Sequence, residues 1–154
     1  MGARQRQKAN VGYRRILWPT DFSPLAAAAL PHALKLARES GAELVVLHVL
    51  PLAALFALPE MVGVAWEHGE AELHRVTEHV KGKAPTLRVH GVVAKGVAFD
   101  QIVRVAQRLR CDLIVLATHG RTGLQHVLMG SVAENVARRA SCPVLTVRPP
   151  RFMR

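Results

Sequence analysis

Cysteine is nearly absent: the chain of 154 residues holds two, Cys111 and Cys142, far apart and in no CxxC or Cys/His pattern. That excludes a disulfide scaffold and a cysteine-based zinc site, and it points to a reducing, intracellular compartment. Histidine offers no substitute. His68, His74 and His79 fall on one expected helix at separations of six and five residues, and at about 100° per residue neither separation turns both rings to one face. No HExxH or other histidine–carboxylate signature occurs. Membrane-length apolar runs are missing too. The nearest approach, LVVLHVLPLAALFAL over residues 44–58, spans fifteen residues and is interrupted by His48 and Pro51, short of the roughly 20 that cross a bilayer. No apolar stretch of signal-peptide length follows the basic N-terminus, so no export signal is expected. Neither a Walker A sequence (GxxxxGK[ST]) nor GxGxxG is present, so any phosphate loop must be of a kind without the invariant lysine.

Acid is missing from both ends. Residues 1–15 carry Arg4, Arg6, Lys8, Arg14 and Arg15, and residues 148–154 carry Arg148, Arg151 and Arg154, with no Asp or Glu in either. Those eight charges leave only +2 of the net +10 for the 132 residues between. The basic character belongs to the ends, which either aid solubility or bind nucleic acid and anionic lipid non-specifically; it is no sign of a dedicated nucleic-acid surface.

What is present reads as one globular domain. Half of the residues are hydrophobic and 21% are charged, and a chain of this length buries about 70% of its unfolded surface without a disulfide or metal. Short β-rich runs alternate with longer helical stretches. The expected strands are residues 14–19, 43–49 (apolar throughout, hence buried on both faces), 86–94, 112–117 and 143–147. Helices are expected over 24–40, 64–81, 98–110 and 131–140. Ser23-Pro24 suits the start of the first helix, Gly41 its end, and Pro31 should kink it. Residues 50–63 read as a loop or irregular helix. The apolar segment Leu52–Trp66 would be a flap, an interface or core packing, and its unclear periodicity favours core or interface over a lid. Alternation of this kind implies an α/β fold: a five-stranded parallel sheet with helices on both faces and the ligand site beyond the carboxyl ends of its strands, at a topological switch point. The last strand, Val144–Val147, would be an edge open to pairing with another strand.

Three segments fall at that carboxyl edge: WPTDFSP, HVLP and ATHGRTGLQHVLMGS. The third leaves a buried strand at Ala117, passes Gly120 and Gly123, and enters a helix at Gly130-Ser131. Glycines let backbone approach a phosphate, and amides at a helix start favour negative charge. Ser131 and Glu134 also have the spacing of a capping box, and both uses stay open. Asp21 either accepts bonds from ligand hydroxyls or bonds its own backbone two residues on. His119 is the tempting acid–base residue by type, but no proton is within evident reach for it to move. Arg121 either neutralises phosphate or is solvated. Cys142 reads as a small core residue.

WPTDFS, LHV and ATHGRTGLQHVLMGSVAENVARRASCPVLTVR together resemble the universal stress protein family, over residues 14–148. In its ATP-binding branch the loop reads Gly-x-x-Gly, nine residues, then Gly-Ser or Gly-Thr. Gly120 and Gly130-Ser131 match here, and Ala117 stands where the first glycine would be. The resemblance implies a Rossmann-like adenine-nucleotide fold, with residues 1–13 and 149–154 as basic tails around a single domain of residues 14–148. It implies ATP, with magnesium carried on the phosphates near Ser131. Pro19, Thr20 and Asp21 would contact adenine and ribose, and the backbone of Val49 would read the adenine edge. Ala117, Thr118, His119, Gly120 and Arg121 would line ribose and phosphates, while Gly130, Ser131 and Val132 would donate to phosphates. The alanine methyl at 117 would crowd the ligand. A homodimer through antiparallel Val144–Val147 edges, a cytoplasmic location and a regulatory role in stress are also implied. Rival readings are a slow ATPase or self-phosphorylating enzyme, although no base is assembled and no carboxylate pair awaits magnesium, and a nucleotide-free interaction module of the same fold.

Overall fold

A computed structural model describes residues 12–57, 59–119 and 129–150. The strands are β1 (Arg15–Pro19), β2 (Glu43–Pro51), β3 (Val89–Gly96), β4 (Leu113–Ala117) and β5 (Val144–Val147). The helices are α1 (Pro24–Ala27), α2 (Leu30–Ser40), α3 (Leu52–Ala57), α4 (Val62–Lys83), α5 (Ala98–Arg108) and α6 (Ser131–Arg139), with one 3₁₀ turn at Pro59–Met61. All strand pairs are parallel and the order is β3-β2-β1-β4-β5. The expected α/β class and five-stranded sheet are therefore present.

Side chains alternate across the central strands, and both faces are covered. Ile16, Trp18, Leu44, Val46 and Val115 pack with Leu30, Ala33, Leu34, Leu73 and Val80 of α2 and α4 on one face. Leu17, Val45, Leu47, Ile114 and Leu116 pack with Ile102, Val105 and Val136 of α5 and α6 on the other. Each buried Leu, Ile or Val among them contributes about 1.5–3 kcal/mol.

Three boundaries differ from expectation. The helix expected over 24–40 is two helices, parted at Ala28-Ala29. Pro31 is the cause, displaced from its effect: its ring crowds the carbonyl four residues earlier, at Ala27, and it sits unstrained in the first turn of α2. β3 begins at Val89 rather than 86, because residues 85–87 form a turn, and it extends to Gly96 opposite Pro51. Part of the stretch expected as a loop or irregular helix is α3, whose LAALFA sequence is rich in good helix formers.

Candidate functional site

The strand order reverses between β1 and β4, and the two part company there. β1 pairs with β2 along its whole length, from Arg15–Glu43 to Pro19–Leu47, but with β4 only at Ile16–Leu113 and Leu17–Ile114. Beyond those pairs no register joins the two strands among the described residues, and the switch point of an open α/β sheet is where its ligand crevice is expected. β2 outruns β1 beside it. Its odd-numbered residues turn their backbone groups toward β1: the amide of Glu43 donates to the Arg14 carbonyl, and the carbonyl of Leu47 accepts from Thr20. Val49 is next in that alternation and points its amide and carbonyl at the space above the end of β1.

The β1–α1 turn is shaped by three short side chains that accept backbone protons in succession. Phe22 N–H donates to Thr20 Oγ1 at 3.0 Å, Ser23 N–H to Asp21 Oδ1 at 3.0 Å, and Ala26 N–H to Ser23 Oγ at 3.1 Å. Ser23 thus caps α1 as expected, and Asp21 makes the turn bond that was its alternative role. The turn carries strain: Phe22 lies at φ 64, a left-handed angle that costs a non-glycine residue about 1–2 kcal/mol.

Across the crevice, Thr118 follows β4 and is buried, and its Oγ1 lies 3.0 Å from His119 Nδ1. The Thr118 carbonyl accepts from the Gly130 amide at 2.7 Å, so one bond clasps the end of β4 to the start of α6. A Cβ on Gly130 would lie 3.1 Å from that carbonyl oxygen, which is why glycine suits this position although its φ is an ordinary −69. Two expectations change here. Gly130 spends its amide on Thr118 rather than offering it to a phosphate. The capping box is not formed, because Gly130 is the N-cap and Ser131 already the first helical residue, while Glu134 pairs with Arg138 at 3.6 Å. Gly130 has no side chain with which to cap, so the amides of Ser131 and Val132, both exposed residues, stand at an N-terminus that favours anions. Gly120 and Arg121 lie outside the described residues.

Ala117 ends β4, is 9% exposed, and belongs to the core cluster on the α2 and α4 face. Among the described residues the left-handed non-glycine positions are Phe22 and Arg110, so Ala117 carries no such strain. Its methyl is a core group, and the expectation that it crowds the ligand is not supported. Pro19 and Thr20 close β1 at the same edge, Pro19 half-buried and Thr20 buried.

Some features escaped the sequence. His48 stood there as an interruption of an apolar run and as a member of the HVLP segment, with no role of its own. Here it is buried, stacked on Phe22 with centroids 4.1 Å apart, and bonded to the Thr20 carbonyl at 3.0 Å. Gly69, inside α4, packs on that ring; a glycine within a helical pattern was the available signal. A cleft of about 540 Å³ lies between α2 and α4, lined by Trp18, Leu34, Arg38, Val76, His79 and Lys83 among others. It sits behind the β1–α1 turn and shares only Thr20 with the expected site, and its Trp18 and Leu34 floor is 1% and 6% exposed. The core reading of the Leu52–Trp66 segment fails for Leu52, Phe56, Met61 and Val64, which are 39%, 79%, 46% and 54% exposed. Cys142 is half-buried against the α5 and α6 core, as expected, and burial raises its thiol pKa; burial pushes Cys111 up to about 12. Among the described residues no helix is long and apolar enough to cross a membrane.

Comparison with known proteins gives one answer. A model described as the universal stress protein family matches residues 12–148. Universal stress protein MJ0531 of Methanocaldococcus jannaschii is 34% identical over 145 residues, covering 90% of this chain and 84% of that protein. The solved structure of MJ0577, from the same organism, superposes with a TM-score of 0.80 at 30% identity, covering 92% of this chain and 99% of that one. A universal stress protein from Archaeoglobus fulgidus, solved in complex with dAMP, has a TM-score of 0.67 at 21% identity, covering 88% and 98%.

Proposed function

The chain belongs to the universal stress protein family, and we propose that it is a regulatory protein that binds ATP at the carboxyl edge of its sheet and acts in a cytoplasmic stress response. The observation that carries this is the crevice between β1 and β4, where three kinds of recognition chemistry meet. Asp21 presents a carboxylate suited to ribose hydroxyls. Val49 presents a backbone donor and acceptor of the kind an adenine edge pairs with. The start of α6 presents the amides of Ser131 and Val132 to phosphate. Magnesium would ride on the phosphates, and the exposed Ser131 hydroxyl is what this chain offers near it. The dAMP complex in the same fold is a likeness of architecture at 21% identity, so this chain's own residues bear the weight.

Oligomerisation belongs to the same reading. Among the described residues β5 pairs only with β4, and Leu145 on it is 36% exposed, so its other edge is open to a second copy. The odd-numbered residues of β5 turn their backbone toward β4, as the Pro143 and Val147 carbonyls do, so the Thr146 amide faces the open edge. Thr146→Pro removes a donor on that edge and should give monomers by light scattering; a folded mutant that stays dimeric moves the interface elsewhere.

The test is the small molecule released when the purified protein is denatured, followed by calorimetry with ATP. Recovered ATP, or ATP binding by the emptied protein, supports the proposal. No released nucleotide and no binding would make the chain an interaction module of the same fold, for which the exposed Leu52, Phe56, Met61 and Val64 would be the contact surface.

A further inference from the structure

Four polar side chains are buried among the described residues: Thr20, His48, Thr77 and Thr118. Thr77 closes onto its own helix through the Leu73 and His74 carbonyls, while Thr20 and Thr118 flank the crevice. His48 reaches across elements instead. It stands on β2 one residue before Val49, on the face covered by α4, and its Nδ1 lies 3.0 Å from the Thr20 carbonyl. A carbonyl only accepts, so Nδ1 carries the proton. The same ring stacks on Phe22 at an interplanar angle of 27°. From the far side α4 presses in at Gly69, where a Cβ would stand 3.4 Å from His48 Cδ2 and 3.3 Å from Leu50 Cδ2.

Asp21 lies between the two residues that this imidazole holds. The backbone ladder from β2 to β1 ends at the Thr20 amide and Leu47 carbonyl, and beyond that point a side chain continues the connection. We propose that His48 is a positioning residue for the nucleotide site: by gripping Thr20 and Phe22 it clamps the β1–α1 turn to β2 and fixes the Asp21 carboxylate relative to the backbone of Val49. The inference rests on the reading of the crevice as a nucleotide site. It also explains why Phe22 tolerates a left-handed backbone, since its ring is paid for in the stack.

The test separates donor from stack. His48→Phe keeps an aromatic ring and loses the donor, whereas His48→Asn places an amide N–H near the former Nδ1 and loses the ring. Phe22→Gly accepts the left-handed angle without strain, removes the stack and is the variant surest to fold. ATP affinity is read by calorimetry, and the turn is read without ligand through hydrogen exchange of the Ser23 amide, which donates to Asp21 Oδ1. His48→Phe should weaken ATP about tenfold and speed Ser23 exchange about tenfold relative to distant amides, with His48→Asn restoring most of both. Phe22→Gly should show both effects, each about threefold. Unchanged affinity and unchanged Ser23 exchange in folded His48→Phe, or in Phe22→Gly if that alone folds, overturns the proposal. Faster Ser23 exchange with unchanged affinity also overturns it, leaving a structural clamp only. Absence of ATP binding by the wild-type protein is a different failure: it removes the nucleotide reading, and with it the role claimed for His48.

Discussion

At the amino-terminal end of the sheet the strands start from a mesh of paired charges, and at the carboxyl end β1 and β4 finish in turns held by single hydrogen bonds from backbone amides. Glu43 at the head of β2 takes Arg15 Nε of β1 at 2.7 Å and His90 Nδ1 of β3 at 2.8 Å. Asp112, just before β4, accepts the amides of Arg14 and Arg15 at 2.9 and 3.1 Å, and Arg15 reaches on to the Leu109 carbonyl. Four strand starts are thereby tied together. At the other end β1 and β4 are released from each other, the Thr20, Asp21 and Ser23 side chains satisfy the turn, and strain at Phe22 is tolerated. One end supplies register and the other supplies a crevice, so substitutions at the two ends should separate stability from binding.

The largest effect is expected where the crevice is clasped. Gly130→Val places a side chain against the Thr118 carbonyl and at the helix start together. ATP affinity in calorimetry should fall at least a hundredfold, about 2.7 kcal/mol, while the fold persists with a stability loss of about 1–2 kcal/mol. Full affinity in a folded mutant would place the phosphates elsewhere.

Next come paired substitutions at opposite ends. Asp21→Ala should weaken ATP by about 1–3 kcal/mol and cost the fold less than about 1 kcal/mol, its turn bond being neutral in partner and half-exposed. Glu43→Gln should do the reverse, lowering stability to urea by about 1–2 kcal/mol with affinity unchanged. Its pH dependence follows from the site. Burial raises the Glu43 carboxyl pKa, but the Arg15 hydrogen bond and the His90 and Arg15 charges outweigh that and hold it below its ordinary 4.5. A depressed folded-state pKa contributes stability above the ordinary value that disappears as pH falls through the folded one. The difference between wild type and Glu43→Gln should therefore be full at neutral pH and shrink below pH 4.5. A difference that fails to shrink below pH 4.5 contradicts the charge mesh.

The smallest effect concerns Ala117. Its methyl belongs to the core, so Ala117→Gly should cost about 0.5–1 kcal/mol in thermal unfolding and leave ATP affinity within about threefold. A clear gain in affinity would restore the crowding expected from sequence.

The strands were legible because apolar runs such as LVVL declare burial on two faces, and Gly41 declared the end of α2 because only glycine takes φ 66 freely. Arg110 performs the same left-handed turn after α5 at φ 53, with the Cys111 amide bonded to the Ala106 carbonyl, and nothing in an arginine announces it. The expected site residues that are described do gather at one edge of the sheet. Their division of labour was not legible, because Ser131 carries the spacing of a cap while Gly130 occupies the cap position. His48, Phe22 and Gly69 were invisible as a unit, since their contact exists only once β2, the β1–α1 turn and α4 are packed.

The contrast between the two ends can be read in a single hydrogen-exchange comparison, with and without saturating ATP. Slower exchange is predicted at the Ser131 and Val132 amides, at Val49 and through residues 20–23, with no change at Arg14, Arg15, Glu43 or Asp112. Protection centred on the charged end, or none at the carboxyl edge while calorimetry records ATP bound, would contradict a nucleotide site in the crevice between β1 and β4.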